Sequence, residues 1–130
     1  MSSITELKKI ASDFLGALTD AGSDYTNARN LATADISVSH DSYPPAHGIE
    51  QFLASWAKAR QSMPNFQMKV VDMIAEMGSS GAGGRVWVFS NMSGGKGGEE
   101  RDSIDMMCIN ADGKVYQSKD VQRTTVAGKL

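Results

Sequence analysis

Apolar residues recur every three or four positions near the start of this chain and every two positions near its end. Ile4, Leu7, Ile10, Ala11, Phe14, Leu15 and Leu18 fall on one stripe, which predicts an amphipathic helix. Ser3 and Glu6 just ahead of it fit a capping box. Gly22 is expected to end that helix, and Ser23 or Asp24 to cap a shorter one running to about Leu31. In "ADISVSHDS", Ile36, Val38 and His40 alternate with Ser37, Ser39 and Asp41, the period of a half-buried strand. "YPPAHG" reads as a loop, because consecutive prolines fit neither a helix nor a central strand. From Gly48 a third helix carries Ile49, Phe52, Leu53 and Trp56 on one face, and Pro64 stops it.

The remainder reads as strand: 66–77, 85–92, 101–110 and 114–126. "GSSGAGG" and "SGGKGGEE" each lie between two strand-like runs and lack the strand-loop-helix context of a phosphate loop, so both read as hairpin connections. Three helices with one strand among them, then four strands joined by hairpins, predict a single α+β domain over residues 1–130. A curved, mostly antiparallel sheet wrapped over helices would leave an apolar pocket between the layers.

Composition narrows the function classes. The net charge is -2 and the cations are scattered, so no basic stripe exists for nucleic acid. No apolar run reaches the length of a membrane span. The N-terminus lacks the basic-then-apolar order of a signal peptide, and the single cysteine, Cys108, excludes an internal disulfide; both point to the cytoplasm.

Candidate chemistry rests on few residues. The two histidines, His40 and His47, flank the Tyr43-Pro44-Pro45 loop. His40 shares a strand face with Ile36 and Val38 and reads either as a core-edge residue or as a general acid/base facing the pocket. His47 precedes the third helix, where capping or exposure competes with function. Asp105 sits inside "SIDMMCI"; a carboxylate on an apolar strand is costly unless paired or functional, the alternative being an outer face and a cross-strand cation. On strict alternation, Tyr116, Ser118 and Asp120 share one face of the last strand and would place a phenol, a hydroxyl and a carboxylate in one row. Cys108 reads as a small buried hydrophobe. The histidine spacing does not fit a zinc site.

Several stretches carry a family resemblance. "ATADISVSHDS", "HGIEQFLASW" and the closing pair "SIDMMCINADGKVYQSKDV" together resemble the SnoaL-like proteins of the NTF2-like (cystatin-like) superfamily, from about Ile4 to Val121. The closing pair matches the polyketide-cyclase pattern at Ile104, Asp105, Asp112, Gly113, Lys114, Asp120 and Val121, and departs from it at Gln117, Ser118 and Lys119. The resemblance implies a cone-shaped barrel with an apolar cavity, often dimeric through the outer face of the sheet, and a cofactor-free acid/base enzyme. It implies that Asp120 is the acid/base, and that His40-Asp41 occupies the region where ketosteroid isomerases carry their base.

Two functional readings follow. The first is an isomerase, cyclase, dehydratase or hydrolase acting on a small, largely apolar natural product, of polyketide or terpenoid type. Asp120 and His40 would transfer protons and Asp41, His47 or Asp105 would assist. Tyr116, Ser118, Trp56, Tyr25, Phe14 and Trp87 would contact substrate. The second is a ligand-binding or dimerisation module without chemistry, its pocket filled by Met and Trp side chains.

Overall fold

The computed structural model describes residues 2–20, 24–41 and 43–125. Gly22, Ser23 and Val126, which figure in the sequence reading, lie outside them. Three helices, α1 (Ile4–Thr19), α2 (Thr26–Leu31) and α3 (Ile49–Gln61), accompany six strands: β1 (Ala32–His40), β2 (Ala46–His47), β3 (Gln67–Met77), β4 (Gly84–Ser93), β5 (Glu100–Ile109) and β6 (Val115–Thr125).

The N-terminus of α1 forms as its residues dictate. Ser3 Oγ accepts the Glu6 backbone N–H at 3.1 Å and donates to the Glu6 carboxylate at 3.3 Å. The predicted stripe then delivers Leu7, Ala11, Phe14, Leu15 and Leu18 to the interior. They meet Ile36, Val86, Val88, Met107, Ile109 and Val115, the apolar positions of one sheet face. Burying side chains of this size stabilises the fold by about 1.5–3 kcal/mol each.

The six strands form one sheet in the order β2-β1-β6-β5-β4-β3. The β3–β4, β4–β5 and β5–β6 pairs are antiparallel hairpins, whereas β1 lies parallel to β6. The sheet is therefore mixed. It ends at β2 and β3 rather than closing into the expected cone-shaped barrel. β2 is an addition to the sequence reading. Pro44 and Pro45 stay outside the ladder, but Ala46 and His47 just after them pair with Val38 and Ser37.

Two local features set the register that matters for the site. In the β5–β6 turn, Asn110 Oδ1 accepts the N–H groups of Asp112 and Lys114, both at 3.0 Å, and Gly113 takes φ +77°, where a side chain would be strained. Just after it, Ile109 faces Val115 while Cys108 faces Gln117, so Tyr116 is an extra residue, a β-bulge. The bulge corrects strict alternation. Val115 and Ser118 both point inward, and Tyr116 is pushed out to 45% exposure instead of joining Ser118 and Asp120.

Candidate active site

The bulge carries the inward parity on to Asp120. Val88, Asp105, Asp120 and His40 are then in register across four adjacent strands, β4, β5, β6 and β1. Two residues further along, Ser90, Ser103 and Gln122 form a second row on the same face.

The centre of the first row is a hydrogen-bonded histidine–carboxylate pair. His40 Nδ1 lies 2.8 Å and 3.0 Å from the two carboxylate oxygens of Asp120. This fixes Nδ1 as the donor and leaves Nε2 as the nitrogen that can exchange a proton. Among the described residues Nε2 takes no hydrogen bond. The His40 side chain is half-exposed and that of Asp120 is largely buried, so the pair sits at the edge of the interior. The Asp120 hydrogen bond holds the imidazole pKa above its ordinary value, against the opposing effect of burial; the charge of Asp41 adds to the rise and that of Arg101 opposes it.

Asp120 also ties down the turn that follows β1. Its Oδ1 accepts the backbone N–H of Asp41 at 3.0 Å, and Asp41 holds a left-handed φ of +50° there. Tyr43 closes the turn through its N–H to His40 O and stacks on the imidazole, centroids 5.6 Å apart and planes 4° from parallel. On the other side Gln122 Nε2 approaches His40 Nδ1 to 3.4 Å. Gln122 is oriented by Arg101, which donates to its Oε1 at 3.2 Å and pairs with Glu99.

Asp105 is 7% exposed. Burial first, and the Asp120 charge second, push its carboxyl up to about 7; the Ser103 hydroxyl, donating to Oδ2 at 3.1 Å, and His40 pull the other way. Near neutral pH the cluster thus holds two groups able to exchange protons, His40 Nε2 on β1 and the Asp105 carboxyl on β5, on one face with Asp120 on β6 between them.

The other expected residues fall elsewhere. Ser118 is buried on the inner face beside the row. Asp41 contributes its backbone N–H, and the residue is exposed. His47 is exposed on β2, registered with Ser37, and its N–H bonds Gln51 Oε1 at 2.7 Å. Trp56 is committed to the helix layer, Nε1 donating to Leu18 O at 2.8 Å and the ring meeting Phe66 edge-on. Phe14 is a filled core position, and Tyr25 packs at the core edge as the N-cap of α2. Trp87 points away from the cluster, in register with Ile74 and Met106 on the outer face. Among the described residues no group of three His, Cys, Asp or Glu could hold a metal.

The apolar pocket expected between the layers is occupied by core side chains over the α1 half. One cavity, of about 450 Å³, lies between α1 and α2 beside Ser12, Gly16, Asn27 and Asn30. Another, of about 310 Å³, lies over Phe89, Ile104, Val121 and the Arg123–Asp102 pair. Neither includes His40 or Asp120.

The SnoaL-like domain family matches residues 12–118, which takes in His40, Ser90 and Asp105 and stops just short of Asp120. The chain belongs to the SnoaL-like family. A relative named "Probable cyclase otaY" from Aspergillus carbonarius (strain ITEM 5010) is 31% identical over 101 residues, 78% of this chain and 76% of the relative. Among solved structures, a protein of cystatin-like fold from Methylobium petroleophilum PM1 superposes with TM-score 0.74 at 10% identity, over 98% of this chain and 82% of that one. A protein named as a SnoaL-like polyketide cyclase from Jannaschia sp. CCS1 gives 0.68 at 18% identity, over 94% and 90%.

In this SnoaL-like chain, sequence reading missed Ser90, Ser103, Gln122, Arg101 and Tyr43. A signal existed for the serines. Ser90 continues the face of Val86 and Val88, and Ser103 that of Asp105 and Met107, so alternation puts hydroxyls where apolar side chains belong. Gln122 had one as well, since it stands two residues after Asp120 and so on the same face of the strand.

Proposed function

We propose that the chain is a cofactor-independent acid/base enzyme, an isomerase or cyclase, acting on a small, largely apolar, carbonyl-bearing natural product of polyketide or terpenoid type. The observation that carries this reading is the row His40–Asp120–Asp105 on one sheet face, with Nε2 of the paired histidine unengaged among the described residues. His40 Nε2 removes a proton from the carbon next to a carbonyl. Asp120 stabilises the imidazolium that forms, and the charge never stands alone. Asp105, as the neutral acid, donates a hydrogen bond to the enolate oxygen that develops. Return of the proton at another carbon gives an isomer; attack of the enolate carbon on a second carbonyl closes a ring. The relative named as a probable cyclase supports this class of reaction.

The test is proton exchange. A simple cyclic 1,3-diketone is incubated in deuterium oxide with the protein, and loss of its acidic C–H signal is followed by NMR, with Asp120→Asn alongside. Catalysed exchange that fails in the variant supports the proposal; exchange at the background rate with both proteins sinks it.

A second reading, a ligand-binding or dimerisation module without chemistry, is favoured by one observation: neither cavity includes His40 or Asp120. Under either reading the chain pairs with a copy of itself through the outer face of the sheet, where Ile74, Ile104 and Val121 are 64%, 51% and 69% exposed. Sedimentation of the native chain against Val121→Lys distinguishes a dimer through that face from a monomer. No helix of the described residues is long and apolar enough to cross a membrane, and a cytoplasmic setting fits the single buried thiol.

A further inference from the structure

Ser90 is wholly buried, and among the described residues its Oγ has no hydrogen-bond partner. An unsatisfied buried hydroxyl costs about 1–3 kcal/mol. Its cross-strand neighbour Ser103 is also buried, yet Ser103 gives its hydrogen to Asp105 rather than bonding Ser90. Among the described residues two other buried hydroxyls lack partners, Thr33 and Thr125, and neither belongs to the rows around His40. Ser90 is therefore the one fully buried, unpartnered hydroxyl among the described residues in the rows of the reactive cluster. On the same strand and face, Val86 and Val88 are fully buried apolar groups. A valine at position 90 would continue them without an unpaired polar atom.

We propose that Ser90, with Ser103 beside it, is a second oxygen-binding subsite, which takes a hydroxyl or carbonyl oxygen of the ligand while another of the ligand's oxygens is held at His40 and Asp105. The inference rests on the acid/base reading above and sharpens it. Ser90 on β4 lies one strand from Asp105 and three from His40, so an oxygen held at that end sits roughly 5–14 Å from Ser90 across the same sheet face, given about 4.8 Å per strand. The ligand then carries oxygen at both ends of a flat apolar body. A ligand oxygen at Ser90 would accept its hydroxyl hydrogen and leave Ser103 free to keep its bond to Asp105. Ser90 is in this sense a specificity-determining residue, and Asp105 connects the subsite to the reacting end.

The experiment uses the full chain and two probes of the same shape, naphthalene-2,6-diol and 6-methylnaphthalen-2-ol. The shared hydroxyl stands in for the enol oxygen at Asp105, close to His40; the far end presents a hydroxyl or a methyl to Ser90. Dissociation constants are measured by fluorescence for the native chain, Ser90→Ala and Ser90→Cys, and the His40 ring signals report by NMR whether the probe sits at the site. The expected result is a preference of about five- to tenfold for the diol in the native chain, the worth of one hydrogen bond. That preference should vanish in both variants while the affinity of the methyl probe stays unchanged. A preference that survives in both variants, or none in the native chain, overturns the subsite, with a buried water as the occupant of Ser90, and leaves the acid/base reading intact provided His40 responds. If neither probe shifts the His40 signals, the subsite and the acid/base reading fall together.

Discussion

The inner face of the sheet is one surface with two halves, and they follow opposite rules. Under α1, Val86, Val88, Met107, Ile109 and Val115 are apolar, buried and packed. Toward the other end of the same strands, the same parity brings in Ser90, Ser103, Asp105, Asp120 and Gln122, with His40 beside them on β1. Backbone geometry does not distinguish the halves, since the β4–β5 ladder runs through both without a break in register. The difference is chemical. The first half lowers the free energy of folding by removing hydrocarbon from water. The second raises it, by burying a carboxyl group and a hydroxyl that apolar residues would replace without penalty. A chain retains such groups where binding or chemistry needs them, so the boundary between Val88 and Ser90 marks where the sheet stops serving stability alone.

The comparison breaks most sharply at Asp120. In Asp120→Asn the histidine loses its charged partner, and the rate of enolate formation should fall by about 10²- to 10⁴-fold, measured as proton exchange on the diketone. Little change in melting temperature should accompany the loss. The apolar half should respond in the opposite sense. Phe14→Ala removes a wholly buried ring and should cost about 3–5 kcal/mol of stability by denaturant titration, with the pH profile of the remaining folded protein unaltered.

Asp105 sharpens the contrast, because there the two demands conflict. Its folded pKa of about 7 lies above the ordinary carboxylate value of 3.8. The folded state therefore holds a proton that the unfolded state releases. The destabilisation is absent below the unfolded value, grows as pH rises from 3.8 toward about 7 and is constant beyond. Asp105→Asn should stabilise the chain at pH 8 by a few kcal/mol, about 4 kcal/mol at most, and leave it unchanged at pH 3.5. The same variant should slow proton exchange. A variant less stable than the native chain at pH 8 would mean that the carboxylate is satisfied where it sits.

The smallest expected effect is at His40. Its folded pKa is raised, so its contribution to stability is fully present below the ordinary value of 6.5 and is lost as pH climbs through the folded value. His40→Gln should flatten that part of the stability profile in urea titrations. The half-exposed side chain keeps the amplitude small.

Much of the fold is written in local pattern. The stripe from Ile4 to Leu18, the capping residues Ser3 and Glu6, the Asn110–Gly113 turn and the alternation of β4 against β5 depend on near neighbours, and each formed where its residues said. His40, Asp105 and Asp120 could be singled out on the same grounds, as ionisable groups at inward or apolar strand positions. That His40 meets Asp120 could not, because the two are 80 residues apart and the contact needs β1 to lie parallel to β6. No periodicity encodes a parallel pairing between strands so distant in the chain. Nor did alternation foresee the bulge at Tyr116, which moves the phenol outward and carries Ser118, Asp120 and Gln122 inward. One added residue reverses the facing of every side chain after it, and whether it is added depends on how β5 and β6 fit together over α1. The sequence by itself determined the elements and the residues capable of chemistry. Only the tertiary structure decided which of them share a face, since that depends on register between strands, a property no single segment holds.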